Sequence, residues 1–290
     1  MKLAAVMLVL CLAFYLGCGG GGKTPVSTMA PVKLEYKTLG GQPVQYKMTS
    51  SVTVNLSGST ESSISDITYT AKVESIGPDG VIIRRITIDD ISISSLSGGR
   101  PTPDPSAAEY KGEYLWLKMG PGGEVLDWKG LDGIRSYTAE DRNIKNVFML
   151  EIASLFRPLP KEEVAVGSKW QDVLEVPIEI RGGDFKQKVT TGFEVVGFGQ
   201  RAGRNCVKIR TAPAYEGEGT GSRGGDRKFW VESQGEGKGE LWFDYDNGVL
   251  VEFSVGVTAD QSLSYERSGK EDVATEAATV DSETRIKLVK

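Results

Sequence analysis

The 290-residue chain contains no histidine. Serine–histidine–aspartate and cysteine–histidine catalysis, histidine-ligated metals and histidine-based pH switching are therefore excluded. Cysteine is scarce as well: Cys11 lies in an N-terminal apolar run, Cys18 closes that run, and Cys206 alone falls in the body of the protein. An intramolecular disulfide framework is not expected. The charge balance is acidic, at −5, so no basic surface faces a phosphate backbone and nucleic acid is not an expected partner. The Ser-x-x-Lys and Gly-x-Ser-x-Gly signatures of serine acyl-transfer enzymes are missing.

The chain does have 39% hydrophobic and 25% charged residues with 36 glycines, a composition that supports one large core or two small ones. Its N-terminus carries two incompatible signals. Gly17 to Thr24 reads G-C-G-G-G-G-K-T, a formal phosphate-binding loop. That loop needs a helix directly after it, whereas Pro25 and Pro31 follow Lys23-Thr24 and deny one. No nucleotide is expected. The other signal starts with Met1-Lys2, continues through 14 residues from Leu3 to Leu16, and ends in Gly17-Cys18. Such a run is short of the roughly 20 residues that span a bilayer and suits the hydrophobic region of a signal peptide.

This N-terminus resembles the signals of bacterial lipoproteins, in which an apolar run ends in a small residue and a cysteine. The resemblance implies cleavage after Gly17 and lipidation of Cys18, with residues 19–31 as a Gly-rich tether. The expected location is the bacterial cell envelope, held to a membrane by the N-terminal lipid. Because Gly19 follows the cysteine, the outer membrane is favoured over the inner.

Behind the tether the pattern is β. Val44 to Leu56 alternates apolar or small residues with polar ones over 13 residues, which specifies a long half-buried strand. Further strand patterns lie at 67–73, 81–93, 114–119, 124–128, 170–180, 185–196, 206–211, 228–232, 241–245, 249–257, 262–267 and 273–288, with turn chemistry at Pro78-Asp79-Gly80, Gly182-Gly183-Asp184 and Asp246-Asn247-Gly248. Strands this long must coil, so the expected fold is mainly β, with antiparallel curved strands in a half-barrel, barrel or sandwich. One amphipathic helix is expected near 139–156, opened by Thr138 and Asp141 and stopped before Pro158.

The halves look alike. "GEYLWLKMGPGGEVLDW" from Gly112 aligns with "GELWFDYDNGVLVEF" from Gly239, which pairs Trp116 with Trp242. The expected organisation is a signal peptide (1–17), a tether (18–31), a first β unit (32–137), a helix and connector (138–160) and a second β unit (161–290). Pro-Leu-Pro followed by Val164-x-Val166-Gly167-x-x-Trp170 and paired strands resembles an uncharacterised family of secreted bacterial β-rich proteins over roughly 158–257. That resemblance implies a fold style and an envelope location only.

No cofactor or metal site is expected. Gly219 to Gly224 (G-T-G-S-R-G) matches a dinucleotide fingerprint but sits in a Gly-rich excursion with no helix after it. Asp244, Asp246 and Asn247 fit a hairpin turn better than a calcium loop. The pairs Asp89-Asp90 and Glu162-Glu163 read as solvated carboxylates, and Cys206 as a structural thiol. Of the five tryptophans, Trp116 and Trp242 are the candidate ligand-contact aromatics, against a competing role in core packing. The expected function is that of a lipid-anchored, non-enzymatic envelope protein binding a hydrophobic ligand or lipid. A structural or interaction module for an envelope protein or glycan is the main alternative, and an enzyme built from fold-assembled carboxylates the last.

Overall fold

A computed structural model describes residues 30–37, 39–56, 59–97, 100–131, 156, 158–180, 183–222, 228–266 and 273–289. The signal, lipidation and most of the tether expectations, and the helix expected at 139–156 apart from Phe156, lie outside these residues.

The described chain forms a 12-stranded sheet whose paired strands are all antiparallel. The first strand, β1, spans Val44–Leu56 and matches the alternation of the sequence residue for residue. It is followed by β2 (Ser59–Ile76), β3 (Ile82–Ser97), β4 (Arg100–Pro103), β5 (Tyr114–Met119) and β6 (Val125–Gly130). The second half contributes β7 (Lys169–Ile180), β8 (Gly183–Arg201), β9 (Arg204–Ser222), β10 (Lys228–Asp244), β11 (Val249–Glu266) and β12 (Val273–Leu288).

Spatial order runs β6-β5-β3-β2-β1-β12-β11-β10-β9-β8-β7, with β4 added to β3. The two β units read from the sequence therefore share one sheet, joined where β1 pairs with β12. Among the described residues β6 and β7 are its two edges, so the sheet is open.

Both halves follow the same path, β1-β2-β3-β5-β6 and β7-β8-β9-β10-β11, and they share irregularities. A bulge follows Val73 opposite Arg84 in β2, and another follows Val195 opposite Ile209 in β8. A second pair of register shifts follows Lys118 in β5 and Trp242 in β10. Since Arg84 faces Leu117 and Ile209 faces Leu241, Leu117 corresponds to Leu241 and Trp116 to Glu240. The sequence alignment that matched the two tryptophans is thus displaced by two residues, because a shared Leu-Trp pair outweighed bulges that leave no mark in the sequence.

Strand alternation puts one face of the sheet inward. Val195, Ile209, Leu241, Phe253, Ile286, Met48 and Ile67 stand directly opposite one another across seven strands, and all are buried. Burying each such side chain contributes about 1.5–3 kcal/mol. Two segments outside the sheet close over this row. Leu34 and Tyr36 precede β1, Phe156, Leu159 and Val164 precede β7, and all five belong to the same core cluster. The segments are tied by an antiparallel bridge, with Val32 N donating to Val164 O (3.0 Å) and Val164 N to Val32 O (2.8 Å). Gly248, at φ +67°, lets the first segment pass close by, since a Cβ there would lie 2.5 Å from Glu35 O.

Of the Gly-rich excursion expected around Gly219 to Gly224, the described residues Gly219 to Ser222 are strand, the end of β9. In β9 and β10, glycines 217, 219, 235, 237 and 239 take the inward positions and alternate with outward polar residues, among them Glu216, Glu218, Glu236 and Lys238. Phe185, buried in β8, lies over the bare backbone at Gly217 and Gly219. With no side chain on one face, the period of two loses its apolar phase and mimics a linker.

Candidate functional site

Ile82, Arg84, Ile86 and Ile88 are all buried on the inner face of β3. Arg84 is only 4% exposed, and its guanidinium lies 4.4 Å from the ring centroid of Phe156 and 5.6 Å from that of Tyr36. Tyr46 and Tyr69 stack beside it at 5.3 Å. Burial works against the Arg84 cation and lowers its pKa. Burial likewise pushes the Tyr46 hydroxyl up to about 12, offset in part by the nearby Arg84 charge. Sequence reasoning passed over Arg84, although its phase was visible: in I-I-R-R-I-T-I it occupies the inward position.

A second buried charge is fully partnered. Asp244, with a side chain 0% exposed, accepts from Arg204 Nη1 (2.9 Å), Asn247 Nδ2 (2.7 Å) and the backbone N–H groups of Asp246 and Asn247 (3.0 Å each). Its oxygens are committed to the β10–β11 turn, which accounts for the Asp244-Asp246-Asn247-Gly248 pattern. Burial alone would raise the Asp244 pKa, but the donors of Asn247 and Arg204 outweigh it and leave a net lowering. Cys206, opposite Asp244 in the β9–β10 ladder, is buried. Burial and then the Asp244 charge push its thiol up to about 11.

Trp116 and Trp242 lie on the outer face and are not brought together, since five strands separate β5 from β10. Each is half-buried beneath cations. Arg85 is 5.9 Å from the Trp116 ring, and Lys208 and Arg201 are 5.3 and 5.6 Å from that of Trp242, whose Nε1 donates to Glu240 (3.0 Å). Trp170 faces inward, stacked on Phe193 at 5.1 Å and donating to Pro158 O (3.0 Å).

The acidic pairs do not converge either. Asp89 is the extra residue of a bulge and accepts from Thr70 (2.6 Å) and Gln45 (3.0 Å), whereas Asp90 pairs with Lys111 at 2.9 Å. Glu162 and Glu163 are exposed. Gly219, Thr220 and Gly221 are paired on both sides within β9, a geometry that offers no helix N-terminus to a dinucleotide. Among the described residues no group of acidic or cysteine side chains is placed to hold a metal ion.

A groove of about 1110 Å³ opens near the far ends of β7 to β12. Most of its side chains form two adjacent outward rows, with Gln187, Gly217, Ser233 and Gln261 of the row between them also lining it. One runs Glu175, Lys188, Glu216, Gln234, Asp260, and the other Lys186, Glu218, Glu232, Ser262, Ala277. Five carboxylates face two lysines, with Lys188 paired to Glu216 at 3.6 Å.

These features define an open, curved antiparallel β protein with a sealed inner face and a polar outer groove. No protein-family model and no curated protein matches the chain. Among solved structures it is similar to OpdK of Pseudomonas aeruginosa, determined with vanillate. The similarity is 8% identity and a TM-score of 0.20 over 84% of this chain and 99% of that one, a likeness that carries no argument about function.

Proposed function

We propose that the chain is a lipid-anchored, non-enzymatic protein of the bacterial cell envelope, held by Cys18 and favouring the outer membrane. In this reading it is an interaction module that takes an envelope glycan or protein into the groove across β7 to β12. The observation that supports it is the contrast between the two faces. The inner face is occupied by the protein's own Leu34, Tyr36 and Phe156, while the outer groove presents carboxylates, amides and hydroxyls to hydrogen-bond donors. Carriage of a hydrophobic ligand or lipid is the second reading, supported by the curved apolar inner face, and it requires Tyr36 and Phe156 to leave that face.

The full chain, purified in detergent, is titrated with isolated peptidoglycan and with protein-bearing outer-membrane vesicles. The module reading expects saturable binding to one of them, weakened about tenfold by Glu218→Lys combined with Glu232→Lys. Binding to neither, together with lipid that co-purifies and increases on Tyr36→Ala, supports the carrier instead.

A further inference from the structure

Among the described residues Arg84 is the only buried cation, and it contrasts with the buried anion. Asp244 holds four donors, whereas no carboxylate among the described residues pairs with Arg84. The Arg84 Nε–H and the Tyr69 hydroxyl, both buried on this inner face, have no hydrogen-bond partner among the described residues. A buried charge with an unmet donor is costly, and cation–π contact with Phe156 and Tyr36 compensates the charge without satisfying the Nε–H.

We propose that Arg84 and Tyr69 form a binding site for a single carboxylate group. The guanidinium fork matches a planar carboxylate in bidentate geometry, and one negative charge neutralises the site where a phosphate dianion overcompensates it. Tyr69 supplies a further donor, and the rings of Tyr36, Tyr46 and Phe156 wall the site from water. Tyr36 and Phe156 themselves lie outside the strands. The site is separate from the outer groove and does not depend on what that groove binds.

The test is thermal unfolding and calorimetric titration of the full chain in detergent with acetate, octanoate and inorganic phosphate at matched ionic strength. The proposal expects a saturable rise in Tm with a carboxylate and none with phosphate. Response to acetate identifies a small free anion, and response to octanoate alone identifies the head of an amphiphile. Arg84→Met removes the response. Should that variant fail to fold, Tyr69→Phe, which deletes one hydroxyl, decides the matter by weakening carboxylate binding several-fold with an unchanged circular-dichroism spectrum. Tm values indifferent to carboxylate, an equal response to phosphate, or undiminished binding in folded Arg84→Met or Tyr69→Phe overturns the proposal.

Discussion

Arg204 at the start of β9 donates from Nη1 to Oδ2 of Asp244 at the end of β10, 2.9 Å away, and so joins the β8–β9 turn to the β10–β11 turn. The two partners are unequal. Asp244 is wholly buried and also organises its own turn, whereas the Arg204 side chain is 31% exposed and can return to water. Asp244→Ala is expected to cost about 2–4 kcal/mol and Arg204→Ala about 1–2 kcal/mol. Urea midpoints of the two variants check the order, and equal losses contradict it.

The same carboxylate sets an acid limb. The folded pKa of Asp244 lies below its ordinary value of 3.8. Its contribution is therefore fully present above that value and is lost as pH falls through the folded pKa. Unfolding free energies measured from pH 5 downward should fall less steeply in Asp244→Asn than in the parent. Parallel slopes would show that Asp244 plays no part in acid unfolding.

Cys206 is expected to be inert in the folded protein. With its thiol pushed up to about 11 and buried, almost no thiolate is present at pH 8. A colourimetric thiol reagent should label it only as fast as the chain unfolds, and at once in denaturant. Prompt labelling of native protein would contradict the packing around β9 and β10.

Glycine is needed at some inward positions and incidental elsewhere. A Cβ at Gly235 would lie 2.6 Å from both Thr258 O and the Ala259 Cβ, whereas one at Gly197 meets nothing within 4 Å. Gly235→Ala is expected to destabilise by about 1–3 kcal/mol, and Gly197→Ala to stay within about 0.5 kcal/mol of the parent. Thermal unfolding of the pair separates them.

Much of this fold was legible in the sequence where inward positions carried apolar side chains. Val44–Leu56 appears in the structure with the bounds its alternation dictates. Legibility failed where the inward phase was blank, as in β9 and β10, whose glycines resemble a linker until the neighbours that close over them are seen, Phe185 over Gly217 and Gly219 and Pro213 over Gly237. It failed again at the bulges, which moved Trp116 out of correspondence with Trp242. Neither tryptophan faces the interior, because their strand phase places them outward among Arg85, Arg201 and Lys208. Arg84 was legible in phase and overlooked in meaning, since a charge within an isoleucine run reads as solvated until the partnering strands enclose it. The outer groove depends on register between distant strands, which no local pattern encodes.

The proposed attachment through a lipid on Cys18 is open to a direct measurement. Cells expressing the chain and its Cys18→Ala variant are fed an alkyne fatty acid and then fractionated. The account predicts label and membrane association for the parent, and loss of both in the variant. Undiminished membrane association of an unlabelled Cys18→Ala chain would contradict it.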